Sequence, residues 1–309
     1  MTYQPQLSQA ASPTTGLDAM LRGVFARHRF LHGYVLLSPT MLLLVVALCL
    51  PVGTLVLYSF WTQTYLTIDR TFTLDNYAGV LGHSGYLWII AKSLIISMVV
   101  TLTTLVLAYP IAYYLAFKVQ SHKIIWLILI TVPFWTSYLL RVFAWKVILG
   151  YNGVINSALI FTGLIDQPLE FLLYNPIAVV ITLAHAWAPV AILPIFVSLD
   201  KIDRSFLEAA TDLGDGPFER FLRITLPLSM PGVVAAGMLV FIPTVGDYIT
   251  PQLVGGPNGV MIGNMIQVQF GKANNWPFGS TLAIVTAAAI TVASLLIWMG
   301  GKRIQGGRR

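Results

Sequence analysis

Six apolar blocks, each long enough to cross a lipid bilayer, constrain this chain more than any other feature of its sequence. They fall at residues 34–61, 88–117, 124–149, 176–199, 226–254 and 281–300. A bilayer core of roughly 30 Å asks about 20 apolar residues of a helix. Inside that core every backbone N–H and C=O must be satisfied within the span itself. The expectation is therefore an all-α, polytopic membrane protein with six transmembrane helices. Composition agrees: 57% of the 309 residues are apolar and 10% are charged, whereas a soluble domain carries about 25% charged residues. The first block is too long for the core of a cleaved signal peptide and is expected to remain as a span. The single cysteine, Cys49, lies in that block and reads as a small buried hydrophobe.

Loop charge sets an orientation. Arg22, Arg27 and Arg29 lie in the polar tail of residues 1–33, and Lys118 and Lys123 in or beside the next loop on that side. Lys201, Arg204, Arg220 and Arg223 lie in the loop 200–225, and Lys302, Arg303, Arg308 and Arg309 in the basic C-terminal segment 301–309. The three opposite loops hold only Arg70 and Lys272. Under the positive-inside rule both termini and the 200–225 loop are expected to be cytoplasmic, with residues 34–300 forming the membrane domain. The same placement explains the net charge of +6 without nucleic acid. On the other side, residues 261–270 form an apolar-periodic stretch expected to be an external helix.

The 200–225 loop carries the most information. Ser205 and Glu208 have the spacing of a capping box, and Ala209 and Ala210 follow at once. Gly214 stands where a helix ends in a left-handed residue. Asp215-Gly216-Pro217 reads as a turn opening a second short helix, and Leu226-Pro227 as the start of span five. A capped two-helix knob of this kind suits a rigid contact with a moving partner, and Asp212 contributes to its charged surround. The full spacing, from Glu208-Ala209-Ala210 through Gly214 to Ile224 and Leu226-Pro227, resembles the EAA loop of ABC importer permeases. Residues 73–77, 132–136 with Arg141, 208–214, 255–257, 261–264 and 276–278 extend the likeness, which is to the B/H-type permease subunit of spermidine/putrescine transporters. The resemblance implies a type I importer (MetI-like) permease fold and one half of a heterodimeric pathway. It also implies three partners: a second EAA-containing permease of the C/I type, a dimer of ATP-binding subunits, and a periplasmic substrate-binding protein. Docking on the ATPase would fall to Ser205, Glu208, Ala209, Ala210, Asp212, Gly214, Ile224, Leu226 and Pro227. Permeases for opines, iron(III) and phosphonates share much of this pattern.

The chain has no phosphate-cradling Gly-x4-Gly-Lys-Ser/Thr sequence. No cofactor is expected on it, ATP and Mg being used by the partner ATPase, and its histidines show no metal-ligand spacing. Ionisable groups within spans are costly and face protein or water. Lys92 and Lys146 lie near span ends and can snorkel; His185 reads as a packing residue, and Arg141 as an anchor beyond the Pro133 break in span three. Asp247 stands in Pro243-Thr-Val-Gly-Asp-Tyr248, where Pro243 and Gly246 are expected to loosen span five. A carboxylate beside Tyr248 can attract an ammonium group by charge and by cation–π contact; an interspan hydrogen bond or gate contact is the alternative. Trp135, Tyr138 and Trp276 are candidate aromatic surface for the same path. A stand-alone secondary transporter would show inverted repeats, and a membrane enzyme a cluster of catalytic polar groups; neither pattern is evident.

Overall fold

A computed structural model describes residues 29–65 and 67–306 of the chain. Most of the expected N-terminal tail, with Arg22 and Arg27, and the terminal Arg308 and Arg309 lie outside the described residues. Helix α1 (Arg29–Ser59) carries the first span. The chain through Leu55 is one compact unit, and Val56–Arg309 is another. Cys49, expected to be buried, is exposed on α1. Lipid is as apolar as a protein core, so burial is not the only comfortable setting for a thiol in a span.

The second unit opens with a small antiparallel hairpin, β1 (Thr62–Thr64) and β2 (Thr67–Asp69), in which Gln63 pairs with Ile68. Helix α2 (Asp75–Gly82) precedes span two, α3 (Ser84–Phe117), whose first turn is capped by His83 Nδ1 accepting the Gly85 N–H. Next come α4 (Lys123–Thr131), α5 (Tyr138–Leu149) and α6 (Val154–Phe161). Span four is α7 (Pro176–Asp200). Its cap, Asn175 Oδ1, accepts the N–H groups of Ile177 and Ala178 at 2.7 and 3.0 Å, and Pro176 fills the first turn, where its missing N–H costs nothing. The 200–225 loop holds α8 (Arg204–Asp212) and α9 (Pro217–Arg220), and span five is α10 (Leu226–Val245). The stretch expected at 261–270 is α11 (Ile262–Phe270), and span six is α12 (Trp276–Gly306), which continues through the segment expected as a basic tail.

Helices α3, α7 and α10 make the main core, around Val100, Ala112, Leu183, Ile195 and Val240. At their closest approach α7 and α10 touch backbone to backbone. A Cβ on Gly232 would lie 2.3 Å from the Pro194 carbonyl oxygen, so only glycine permits this crossing. Buried hydroxyls of Thr101, Thr104 and Thr244 bond carbonyls four residues back at 2.6–2.7 Å. That satisfies polar atoms that lipid could not. A second cluster of Val80, Ile90, Phe241, Val245, Ile262 and Leu282 ties α10 to α2, α3, α11 and α12.

Among the described residues, five helices are long and apolar enough to cross a membrane unbroken. The third expected span is different. It is a helix pair, Lys123–Trp135 and Tyr138–Phe161, bent by 83°. Pro133 lacks the N–H that would continue α4, the chain tightens into a 3-10 turn at Val132–Trp135, and Thr136 leaves it extended at ψ 157°. Span five also departs from its expected limits of 226–254. It is helical from Pro217 to Val245 and stops before Asp247.

Candidate functional site

The two ends of the span-five helix carry the two groups of candidate residues. At one end is the knob of α8 and α9. Helix α8 starts two residues earlier than the capping-box spacing implies: Asp203 is its N-cap, with Oδ1 accepting the Ser205 N–H at 3.0 Å. That bond holds the Asp203 carboxyl below its ordinary range. Ser205 is thus the second residue of the helix, and no hydrogen bond joins it to Glu208 among the described residues. Aspartate caps as well as serine, and its charge also complements the helix dipole. Position 203 therefore takes the cap.

The C-terminus of α8 forms as its sequence implies. Gly214 has φ +92°, its N–H reaches the Thr211 carbonyl, and the Asp215 N–H reaches the Ala210 carbonyl, both at 2.9 Å. This is the Schellman pattern, and it needs a left-handed residue. Ala210 packs inward, while Glu208, Ala209 and Asp212 are exposed. Helix α9 is stapled to α8 by Arg220 on Thr211 Oγ1 at 2.7 Å, and Arg223, just after α9, pairs with Asp215 in the turn between the two helices at 2.5 Å. The outer surface of the knob presents Phe206, Leu213 and Phe218, exposed by 56%, 87% and 73%. Solvent-facing apolar groups on a charged knob suit burial against a partner.

The knob is not separated from span five. Between α9 and α10 the helix widens by one turn at Phe221–Thr225, where the Leu226 N–H donates to the Phe221 carbonyl five residues back. Pro227 explains the widening. It has no N–H, and in a regular helix its ring would strike the carbonyl of Arg223. Tyr109 and Tyr113 pack edge-on against Phe221 at 5.6 and 6.4 Å, and Tyr109 Oη lies 2.8 Å from Ser229 Oγ. Ile224, Leu226 and Pro227 are half-buried in this turn. The result is one 29-residue helix from Pro217 to Val245, about 43 Å long at 1.5 Å per residue.

Asp247 follows the far end of that helix. Its Oδ1 accepts the Ile249 N–H at 2.9 Å, and its Oδ2 accepts the Tyr138 hydroxyl at 2.6 Å. Tyr138 Oη also lies 2.6 Å from Thr250 Oγ1. Asp247 takes part in neither ion pair found among the described residues, so this half-buried carboxylate is met by neutral donors alone. Arg141 stands 5.3 Å from the Phe134 ring and 5.9 Å from the Tyr138 ring, and donates to the Ala186 carbonyl at 3.2 Å. Helix α11 closes over the break. A Cβ on Gly263 would lie 2.6 Å from the Gly246 carbonyl and 2.7 Å from that of Asp247, and Asn264 Nδ2 donates to the Tyr248 carbonyl at 2.8 Å.

Tyr138 and Asp247 are therefore in direct contact. Tyr248, 40% exposed, borders an open groove of about 460 Å³ along Gly263, Gln267 and Phe270. Trp135 is 85% exposed on the 3-10 turn. Trp276 belongs to a different aromatic group, with ring centroids 5.9 Å from Phe270 and 6.2 Å from Tyr58. His185, expected as a packing residue, is exposed and accepts the Trp145 indole N–H at 3.1 Å. Sequence reasoning missed Thr250 and Gly263. The only signal for Gly263 was its place in the 261–264 segment, and Thr250 had none.

The architecture is that of a MetI-like ABC importer permease. A chain of the bacterial ABC transporter involved in the import of the acidic polysaccharide alginate superposes with TM-score 0.70 at 17% identity, covering 92% of this chain and 99% of that one. This chain belongs to the family of binding-protein-dependent transport system inner membrane components, whose model matches residues 25–301. It is similar to the spermidine/putrescine transport system permease protein PotB of Escherichia coli K12, 36% identical over 263 residues, which span 81% of this chain and 95% of the relative. The protein of that name from Haemophilus influenzae is 37% identical over 212 residues, 69% of this chain and 73% of the relative. The protein is thus a multi-pass inner-membrane transport permease.

Proposed function

We propose that this permease forms one half of the membrane pathway of a polyamine importer. The observation that carries the reading is the 36% identity over 263 residues to relatives named as spermidine/putrescine permeases. Asp247 supports it, since a half-buried carboxylate in neither ion pair among the described residues suits a cargo of linked ammonium groups. A second EAA-containing permease of the C/I type completes the pathway, a periplasmic binding protein delivers cargo, and a dimer of ATP-binding subunits hydrolyses ATP with Mg. The knob of α8 and α9 docks on that ATPase. Because α9 is continuous with span five, a displacement of the knob is transmitted along the rod to the break at Asp247 without bending a linker. The test is uptake of labelled spermidine and putrescine by vesicles containing the assembled importer and saturating binding protein. ATP-dependent uptake of either is the expected result; uptake of neither overturns the polyamine reading.

Arg141 favours a second reading. A cation beside the Tyr138 ring and a carboxylate on its hydroxyl also suit a solute carrying both charges, such as an opine. An importer that moves an opine and neither polyamine would establish it.

In this reading the knob and both termini are cytoplasmic. With Cys49 replaced, a cysteine at Asn258 should react with an impermeant thiol reagent in intact cells, and one at Asp215 should not. Labelling at Asp215 alone would reverse the topology.

A further inference from the structure

The Tyr138 hydroxyl has two partners where one would satisfy it. It lies 2.6 Å from Asp247 Oδ2 and 2.6 Å from Thr250 Oγ1, and Thr250 is fully buried. The three residues come from two segments: Tyr138 opens the second half of the broken third span, and Asp247 and Thr250 follow the span-five rod. Resting on the polyamine reading, we propose that Tyr138 is a specificity-determining residue, whose phenol occupies Asp247 as a neutral placeholder that a cationic donor displaces.

The chemistry of the exchange is favourable in one direction only. Phenol to carboxylate is a hydrogen bond with one charged partner; ammonium to carboxylate has two, and adds Coulomb attraction that is weakly screened at membrane depth. An uncharged solute offers Asp247 nothing better than the phenol already there. When an ammonium group takes Oδ2, the phenol O–H turns to Thr250 Oγ1, so the phenol keeps an acceptor while the Thr250 hydroxyl gives up its own bond to Tyr138 Oη. Thr250 is the acceptor that receives the displaced hydroxyl. The Arg141 guanidinium, 5.9 Å from the Tyr138 ring, holds the ring in place through the exchange. The Asp247–Tyr138 bond also latches the far end of the rod while no cargo is present. Its release by a cation couples cargo identity to movement of the knob.

The test uses the assembled importer in vesicles, with Tyr138→Phe, Thr250→Val, Asp247→Ala and the double variant Tyr138→Phe/Asp247→Ala. Tyr138→Phe removes the latch and should raise cargo-free ATP hydrolysis about ten-fold, the scale of one hydrogen bond to a charged group. The double variant should hydrolyse no faster than Asp247→Ala alone, because both changes remove the same bond. Thr250→Val removes the acceptor to which the displaced phenol turns; it should slow spermidine uptake about three-fold. Additive effects in the double variant, or wild-type uptake by Thr250→Val, would overturn the proposal. Should the wild-type importer move no polyamine, the polyamine reading falls by itself, and the hydrolysis cycle still reports whether Tyr138 acts through Asp247.

Discussion

Asparagine in place of Asp247 is expected to cut spermidine uptake by the reconstituted importer at least about ten-fold, with assembly on the ATPase intact. A hydrogen bond to a charged group is worth about 1.5–3 kcal/mol, against about 0.5–1.5 for a neutral one. The difference of about 1.4 kcal/mol corresponds to a factor of about ten. Asparagine keeps the size of the side chain and an oxygen for the Ile249 N–H, now at 2.9 Å from Oδ1, so the local fold has no reason to change. Its amide can meet the Tyr138 hydroxyl with the roles of donor and acceptor exchanged. What it cannot supply is a charge for an ammonium group. Saturating binding protein in the assay separates passage from capture. Wild-type spermidine and putrescine flux through Asp247→Asn would show that the carboxylate has no electrostatic part in transport.

Valine in place of Gly214 is expected to lower uptake and cargo-stimulated ATP hydrolysis about ten-fold while the chain still inserts. The cause is backbone conformation alone. A Cβ at Gly214 meets nothing within 4 Å, so no clash is involved, but φ is +92°. A β-branched residue held there costs on the order of 1–3 kcal/mol, enough to unwind the Schellman turn and let α8 lose its fixed angle to α9. Gly214→Asn is the control. Asparagine tolerates positive φ and should keep most of the activity. Glu208→Arg tests the surface rather than the turn, since Glu208 is exposed and its charge is reversed without strain. If both Gly214→Val and Glu208→Arg transport at the wild-type rate, the knob is not the docking element.

Much of this protein is written locally in its sequence. Apolar blocks longer than a bilayer is thick give helices, because lipid leaves the backbone no other way to satisfy itself. Gly214 gives a left-handed helix end through its φ of +92°, and Pro133 a break through its missing N–H, each within a turn of chain. The start of α8 was misread for a related reason. Asp203 and Ser205 are both competent caps two residues apart, and spacing alone does not choose between them.

Other features depend on contacts that no local pattern encodes. That α9 runs unbroken into span five depends on a widened turn packed under Tyr109 and Tyr113 from another helix, whereas Leu226-Pro227 by itself reads as a boundary. Tyr138 meets Asp247 across 109 residues of sequence, and Gly263 is required to be glycine by carbonyls of a segment folded back over it. The sequence by itself determined the spans, the knob and the positions of the breaks, because hydrophobic length and turn chemistry act over a few residues. Only the tertiary structure decided which broken ends face each other, and hence that a tyrosine occupies the carboxylate. Those contacts follow from the packing of α3, α5, α7, α10 and α11 within the second unit.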